Sequence, residues 1–310
     1  MKTYLITGGA GFLGSNLAIR LIKNGQKVIV VDDLFTGRLK NLAEIKENPN
    51  FRFIKHDVRK PLKIDGNVDY VCHLACPASP PVYLIDPIHT LETSAIGTQN
   101  MLEFALSKGA RFFYTSTSEI YGDPLVHPQK ESYFGNVNPY CKRSCYDEGK
   151  RYAEALIYEY RRERGLNTGI IRIFNTYGPK MDPDDGRVVT NFIKQALRGE
   201  DITVQGDGKQ TRSFCYVDDQ IDGMIKMIKS NEEGPINIGN PNEFTILELA
   251  KIVIDLTKTN SKIVYTAPVE SDPKQRRPDI KLAKEKLNWK PKINLREGIK
   301  KTMEYLKAEI

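Results

Sequence analysis

The run Thr7-Gly8-Gly9-Ala10-Gly11-Phe12-Leu13-Gly14 places glycines at 8, 11 and 14, directly after a strand-like stretch, Thr3 to Thr7, and directly before a helical pattern. Nothing else in the chain narrows its fold as much. The first glycine permits a tight turn, the second lets a pyrophosphate approach the helix N-terminus, and the third allows tight packing of helix on sheet. A glycine triplet alone is weak evidence. Here a second strand, Val28-Ile29-Val30-Val31-Asp32, ends in an acid about 20 residues on, where a ribose-binding carboxylate belongs. Asp32 repels a 2′-phosphate and so favours NAD over NADP, while Arg38 nearby is the residue able to reverse that preference.

The first half alternates β-branched runs with helical stretches. Tyr4 to Thr7, Lys27 to Val31, Phe51 to Lys55, Tyr70 to Leu74, Phe112 to Thr115 and Thr168 to Ile173 read as strands. Gly14 to Asn24, Ile96 to Lys108 and Tyr146 to Arg164 read as helices, with apolar residues at three- and four-residue spacing. This order predicts an α/β protein of Rossmann type, a doubly wound parallel sheet covered on both faces. Its ligands belong at the carboxyl ends of the strands, where Gly8, Asp32, Asp57, Ala75, Ser116 and Asn175 fall. Past Gly178 come a proline- and glycine-rich loop, helices at Asn191 to Arg198, Ile246 to Thr257 and Leu295 to Lys307, and a strand at Ile202 to Gln205. The expected division is a nucleotide-binding domain over residues 1–178 and a smaller α/β substrate lobe over 179–310, with segments near 213–240 rejoining the first.

Composition narrows the function classes. With 310 residues and 40% apolar content the chain can bury a sizeable core. It has no run of 18 apolar residues, and a strand starts at Thr3, so neither a membrane anchor nor a signal peptide is expected and the address reads as cytoplasmic. Five cysteines, an odd number at irregular spacings, argue against a disulfide framework. The pairs Cys72/Cys76 and Cys141/Cys145 lack the two-residue gap of zinc knuckles, so no metal is expected. The formal charge of +7 is spread along the chain and interleaved with acids, which argues against a nucleic-acid partner.

The chemistry is carried by Tyr146-Asp147-Glu148-Gly149-Lys150 and Ser116-Thr117-Ser118-Glu119. Four residues apart on a helix, a phenol and an ammonium face the same way, and that spacing predicts that Lys150 lowers the pKa of Tyr146. Such a phenol exchanges a proton with a substrate hydroxyl while a nicotinamide takes hydride from the same carbon. Ser118 is a hydroxyl able to hold the substrate oxygen, and Glu119 is a carboxylate at a sheet edge, costly unless it has a partner or a task. Beyond them stand arginines suited to diphosphate or carboxylate: Arg187, Arg212 and the doublet Arg276-Arg277.

Together these motifs resemble the extended short-chain dehydrogenase/reductase family of nucleotide-sugar enzymes. The likeness runs from Tyr4 to about Lys307. Its most specific stretches are His73 to Pro81, Thr115 to Pro124, Ser144 to Arg151, Arg172 to Pro179, Asp185 to Phe192 and Gln275 to Ile280. Within the family these runs resemble those of the enzymes that decarboxylate UDP-glucuronate. Thr117-Ser118-Glu119 stands where a 4,6-dehydratase would carry Thr-Asp-Glu and where a 4-epimerase would lack the acid. The resemblance implies that Gly8, Gly11, Phe12, Leu13, Gly14, Asp32, Asp57, Val58, Leu74 and Thr93 surround NAD, with Tyr146 and Lys150 also touching it. It implies that Ser79, Thr117, Asn175, Val189, Asn191, Gln205, Arg212, Tyr216 and Arg276 hold a UDP-sugar, and that Tyr146, Lys150, Ser118, Glu119 and Arg276 act in catalysis. A homodimer through the helices Ile96 to Lys108 and Tyr146 to Arg164 is a further family expectation. One departure is Tyr140-Cys141-Lys142, in place of a Gly-Pro type of turn before the catalytic helix. The readings left open are a 4-epimerase, a 4,6-dehydratase, a decarboxylase that releases the 4-keto pentose with NADH, and a non-catalytic NAD-sensing scaffold.

Overall fold

The computed structural model describes residues 1–268 and 275–310. In chain order the first half runs β1 (Thr3–Thr7), α1 (Phe12–Lys23), β2 (Lys27–Asp32), β3 (Phe51–Lys55), β4 (Tyr70–His73), α2 (Pro80–Tyr83), α3 (Pro87–Glu92), α4 (Thr98–Lys108), β5 (Arg111–Thr117), α5 (Ser144–Arg164), β6 (Thr168–Ile173) and β7 (Thr176–Tyr177). It continues with α6 (Val188–Arg198), β8 (Ile202–Gln205), β9 (Thr211–Ser213), β10 (Cys215–Tyr216), α7 (Val217–Lys229) and β11 (Ile236–Ile238). Last come β12 (Glu243–Thr245), α8 (Ile246–Thr257), β13 (Ile263–Thr266), β14 (Gln275–Arg276), α9 (Lys281–Leu287) and α10 (Leu295–Lys307).

Seven strands form one sheet in the order β11-β6-β5-β4-β1-β2-β3. Every neighbouring pair is parallel. Successive side chains of β1 go to opposite faces, as strand geometry requires. Tyr4 and Ile6 pack with Leu17 and Leu21 of α1 and Met224 of α7, while Leu5 packs with Met101 of α4 and Ile157 of α5. The sheet is thus covered on both sides, which accounts for its near-continuous apolar strands.

The strand order reverses at β1 and β4, and the carboxyl ends of these two open the crevice in which doubly wound folds bind ligands. Gly8 sits there at φ +66°, and a Cβ on it would stand within 3 Å of the Leu74-Ala75 backbone. Gly14 is tighter still: a Cβ there would lie 2.2 Å from the Gly8 carbonyl oxygen. The first turn of α1 therefore lies against the loop before it with no room for a side chain.

Small sheets complete the chain. β8 pairs with β13, β7 with β10, and β9 lies between β12 and β14. The β14–β9 register sets Arg276 beside Arg212. Helix α4 starts at Thr98, later than its apolar spacing suggests, because a single π-helical turn, Thr93–Gly97, joins it to α3. Among the described residues no helix is long and apolar enough to cross a membrane.

Candidate active site

A cleft of about 790 Å³ follows the carboxyl edge of the sheet from the glycine loop to β9 and β14. At one end the Asp32 carboxylate accepts the backbone N–H groups of Ala10 and Leu34 at 2.9 Å each. Burial raises its pKa against the pull of those two bonds. Gly37 leaves the room: a Cβ there would meet the carboxylate at 2.5 Å. Arg38, the residue able to accept a 2′-phosphate, instead pairs with Asp182 at 3.0 Å.

At the floor, Thr7 on β1 and His73 on β4 share a hydrogen bond of 2.7 Å, and His73 Nε2 lies 3.2 Å from the Thr98 hydroxyl. Burial first, and the Lys150 charge second, push the imidazole down to about 3, so His73 is a neutral strut between strands. The Thr93 and Ser116 hydroxyls are buried in the cleft wall without a protein partner. Unsatisfied buried hydroxyls cost free energy, so they, the uncapped α1 N-terminus at Gly11 and the acid at Asp32 form a donor and acceptor set that fits a dinucleotide.

The chemical end is built on the first turns of α5. Tyr146 and Lys150 are both buried one turn apart. The Lys150 ammonium donates to the Thr115 carbonyl at 2.9 Å and lies 4.7 Å from the Tyr114 ring centroid, against 5.9 Å for the Tyr146 ring. The Tyr146 ring stacks on Tyr83, with centroids 5.2 Å apart and ring planes nearly parallel. This arrangement corrects the expected lowering of the phenol's pKa: burial, with the Cys76 thiol next, holds Tyr146 above its ordinary value. Burial lowers the pKa of Lys150. Tyr146 therefore gives up its proton less readily than a free phenol does.

Ser118 and Glu119 follow β5 in a short 3-10 turn, Ser118–Tyr121, in which the Glu119 N–H donates to the Thr117 hydroxyl at 3.2 Å. Glu119 is gripped from two sides. Arg143, the residue before α5, pairs with one carboxylate oxygen, and Arg276 reaches the other at 2.5 Å. Arg276 also donates to the Ser118 hydroxyl at 3.2 Å and to the Gly122 carbonyl at 2.8 Å. Burial alone would raise the Glu119 pKa, but Arg276, Arg143 and Arg212 outweigh it, and the net shift is downward. Asp147, beside Tyr146, goes the other way. Burial and the Glu119 charge push it up to about 7, and one of its oxygens has no hydrogen-bond partner.

Gly8, Gly11, Phe12, Leu13, Gly14, Asp32, Val58, Leu74, Thr93, Ser118, Glu119, Tyr146 and Lys150 line the cleft, as do Ser79, Thr117, Asn175, Asn191, Gln205, Arg187, Arg212 and Arg276. Three expected residues do not. Asp57 is turned toward Arg59, whose guanidinium and backbone N–H it accepts. Val189 is buried in the core, on the inner face of α6, and Tyr216 packs edge-on against Tyr177. Arg277 is also outside, its backbone N–H bound to Gln129. Residues not anticipated are Arg143, whose only sequence signal is its i,i+4 spacing to Asp147, and Tyr83, whose stacking on Tyr146 is a long-range contact with no sequence signal. The departure Tyr140-Cys141-Lys142 is closed by Ser144, which accepts the Cys141 N–H at 2.8 Å and donates to the Asn138 carbonyl at 3.1 Å.

The profile of the GDP-mannose 4,6 dehydratase family matches residues 5–302. UDP-glucuronic acid decarboxylase 3 of Arabidopsis thaliana is 56% identical over 296 residues, covering 95% of this chain and 86% of that protein. Among solved structures, the UDP-glucose 4-epimerase of Thermotoga maritima with UDP-glucose superposes with a TM-score of 0.90 at 33% identity, covering 99% of each chain. A UDP-glucuronic acid 4-epimerase from Bacillus cereus, in complex with UDP-glucuronic acid and NAD, does so at 0.89 and 29% identity, covering 99% of this chain and 100% of that one. The chain therefore belongs to the GDP-mannose 4,6 dehydratase family of extended short-chain dehydrogenase/reductase folds, beside the UDP-glucuronic acid decarboxylases.

Proposed function

We infer that this chain decarboxylates UDP-glucuronate to UDP-xylose by oxidising C4, losing carbon dioxide and reducing C4 again. The observation that carries the reading is the group Ser118, Glu119 and Arg276 set in one cleft with Tyr146 and Lys150. Two guanidiniums, Arg143 and Arg276, pair with the single carboxylate of Glu119. That leaves positive charge suited to a substrate with both a diphosphate and a sugar carboxylate. The relatives named as decarboxylases, at 56% identity over nearly the whole chain, point the same way.

NAD⁺, when bound, supplies the acceptor for the C4 hydride, the donor for its return and a positive charge beside the phenol. Gly8, Gly11 and Gly14 would leave room for its pyrophosphate, Asp32 would accept from its ribose, and the Thr93 and Ser116 hydroxyls, unpartnered in the protein, would be available to it. Tyr146 takes the proton of the C4 hydroxyl as the hydride departs. The 4-keto sugar acid is a β-keto acid, so its C5–C6 bond breaks with the electron pair moving to the C4 oxygen. Ser118 and Tyr146 hydrogen-bond that oxygen. Glu119 is held ionised, so it orders a water that delivers the proton to C5 rather than delivering its own. Arg276 orients the substrate carboxylate or diphosphate.

We further propose that residues 1–178, with the segments near 213–240, form the NAD-binding lobe and that the rest of 179–310 carries the UDP-sugar. The protein is proposed to be a homodimer. Ile96 ahead of α4, Tyr152 and Tyr158 on α5, and Ile88 and Leu91 on α3 are exposed apolar side chains on the faces that would form a four-helix contact. Sedimentation at micromolar concentration tests this, and a clean monomer refutes it. Five unbridged thiols suit a reducing, cytoplasmic compartment.

The deciding experiment is incubation with UDP-glucuronate and NAD⁺, followed by mass analysis of the nucleotide sugar and a check for net NADH. Loss of about 44 mass units, the mass of CO₂, without NADH accumulation is expected, since the hydride returns to C4. Loss of water would indicate a dehydratase, and an unchanged mass an epimerase.

A further inference from the structure

Arg276 is almost wholly buried, yet its guanidinium must meet Ser118 and Glu119 from a segment far away in the chain. The grip on that segment comes from outside the cleft. On one side β9 pairs with β14, and the Ser213 hydroxyl donates to the Arg276 carbonyl at 2.9 Å. On the other lies Gln129, which has no exposed surface. Its backbone N–H donates to the Arg277 carbonyl at 2.9 Å and its carbonyl accepts the Asp279 N–H at 2.8 Å. Its side-chain oxygen accepts the Arg277 N–H at 2.8 Å, and its side-chain amide donates to the Val126 carbonyl at 2.8 Å.

A second buried amide joins this strap to the other half of the group. Asn237, on edge strand β11, donates to the Gln129 carbonyl at 3.0 Å and to the Asp279 carbonyl at 3.2 Å. Its side-chain oxygen accepts the Tyr121 hydroxyl at 2.8 Å. Tyr121 ends the same short turn that begins with Ser118 and Glu119. One side chain therefore touches the turn that bears the serine and glutamate and also the strap that bears the arginine. None of the three residues lines the cleft, and none has exposed surface.

We propose that Gln129 and Asn237, with Tyr121, are positioning residues that set the placement of the Arg276 guanidinium against Ser118 and Glu119. The physical reason is that a buried amide with all its bonds made has one orientation, and a cost follows any departure from it. A guanidinium on a long, rotamer-rich side chain is useful at a reacting centre only if its backbone is held. The inference deepens the decarboxylase reading and rests on it for its kinetic arm.

Gln129→Met keeps the side chain's length and its backbone bonds while removing the side-chain bonds to the Arg277 N–H and the Val126 carbonyl. Tyr121→Phe removes only the hydroxyl and is the milder variant should Gln129→Met fold poorly. Each is expected to lower kcat for carbon dioxide release roughly tenfold or more, at a temperature well below unfolding, with NAD affinity within about twofold of wild type. On an Arg276→Lys background the same substitutions should add less than about threefold, because they act through a guanidinium already removed. Losses that multiply instead would overturn the proposal, as would a lowered melting temperature with unchanged kcat. A crystal structure of Gln129→Met supplies an arm independent of the reaction. The Arg276–Ser118 contact of 3.2 Å should open, and its persistence refutes the inference whatever the wild type catalyses. Wild-type protein that releases no carbon dioxide would sink the reaction reading separately.

Discussion

The Lys150 ammonium donates to the Thr115 carbonyl at 2.9 Å, which ties the catalytic helix to the carboxyl end of β5. Burial disfavours the charge and the carbonyl holds it in place. Lys150→Met keeps much of the packing but removes the ammonium 5.9 Å from the Tyr146 ring centroid and its bond to the Thr115 carbonyl. Turnover should fall by about 10² or more, with KM for UDP-glucuronate changed only a few-fold. Steady-state carbon dioxide release at saturating NAD⁺ is the measurement, and half of wild-type activity would refute the role.

Glu119 is held as a carboxylate by two paired guanidiniums, so its charge and its basicity are both at stake. Glu119→Gln keeps the shape. Its expected effect is a loss of roughly 10² or more in turnover, with NAD binding intact. Full activity would remove Glu119 from the scheme.

Gly14→Ala tests the nucleotide loop by space alone. The new Cβ would stand 2.2 Å from one backbone atom, Gly8 O, and 2.6 Å from another, Gly9 Cα, and neither can yield as a flexible side chain would. The loop must reshape, so NAD affinity should drop at least about tenfold in a calorimetric titration. An unaltered affinity would mean that the pyrophosphate does not sit on this turn.

Asp147 predicts a pH effect on stability. Its carboxyl is raised to about 7 in the folded protein, by burial first and the Glu119 charge second, against the opposite pull of Arg143 and Arg276. An unfolded aspartate titrates near 4. Between about pH 4 and 7 the unfolded chain has given up this proton while the folded one keeps it, so the group's contribution is full below that window and lost as pH rises through it. Asp147→Asn does not titrate. Its melting temperature relative to wild type should therefore climb from pH 4.5 to 7 by about 2 °C or more and level off above. A difference that stays flat across this range would place Asp147 in a more polar setting than the geometry describes.

How far the molecule could be read from its residues depended on whether a signal was local. β3 and β8 begin and end where their β-rich runs do, and α8 starts where a capping box, Thr245 with Glu248, declares it. The glycine loop and the phenol-ammonium pair were legible for the same reason, since both are short-range patterns. β14 was not, because two residues have no period, and its place beside β9 is decided by chain that lies elsewhere. Asp57 sits at a strand end as a ligand residue would, but the bonds its carboxylate accepts from Arg59, two residues on, are a side-chain arrangement that strand position alone does not reveal. The sign of the Tyr146 shift was missed because spacing tells which side chains share a helix face, and only the packed structure tells how much water has been taken away.

The residue that completes the Ser118–Glu119 group arrives with only α9 and α10 still to follow. During synthesis, the glycine turn, the phenol and its lysine have long left the ribosome before Arg276 emerges, and until then Glu119 lacks one of its two partners. The charge balance around Glu119 is therefore settled last in the order of synthesis.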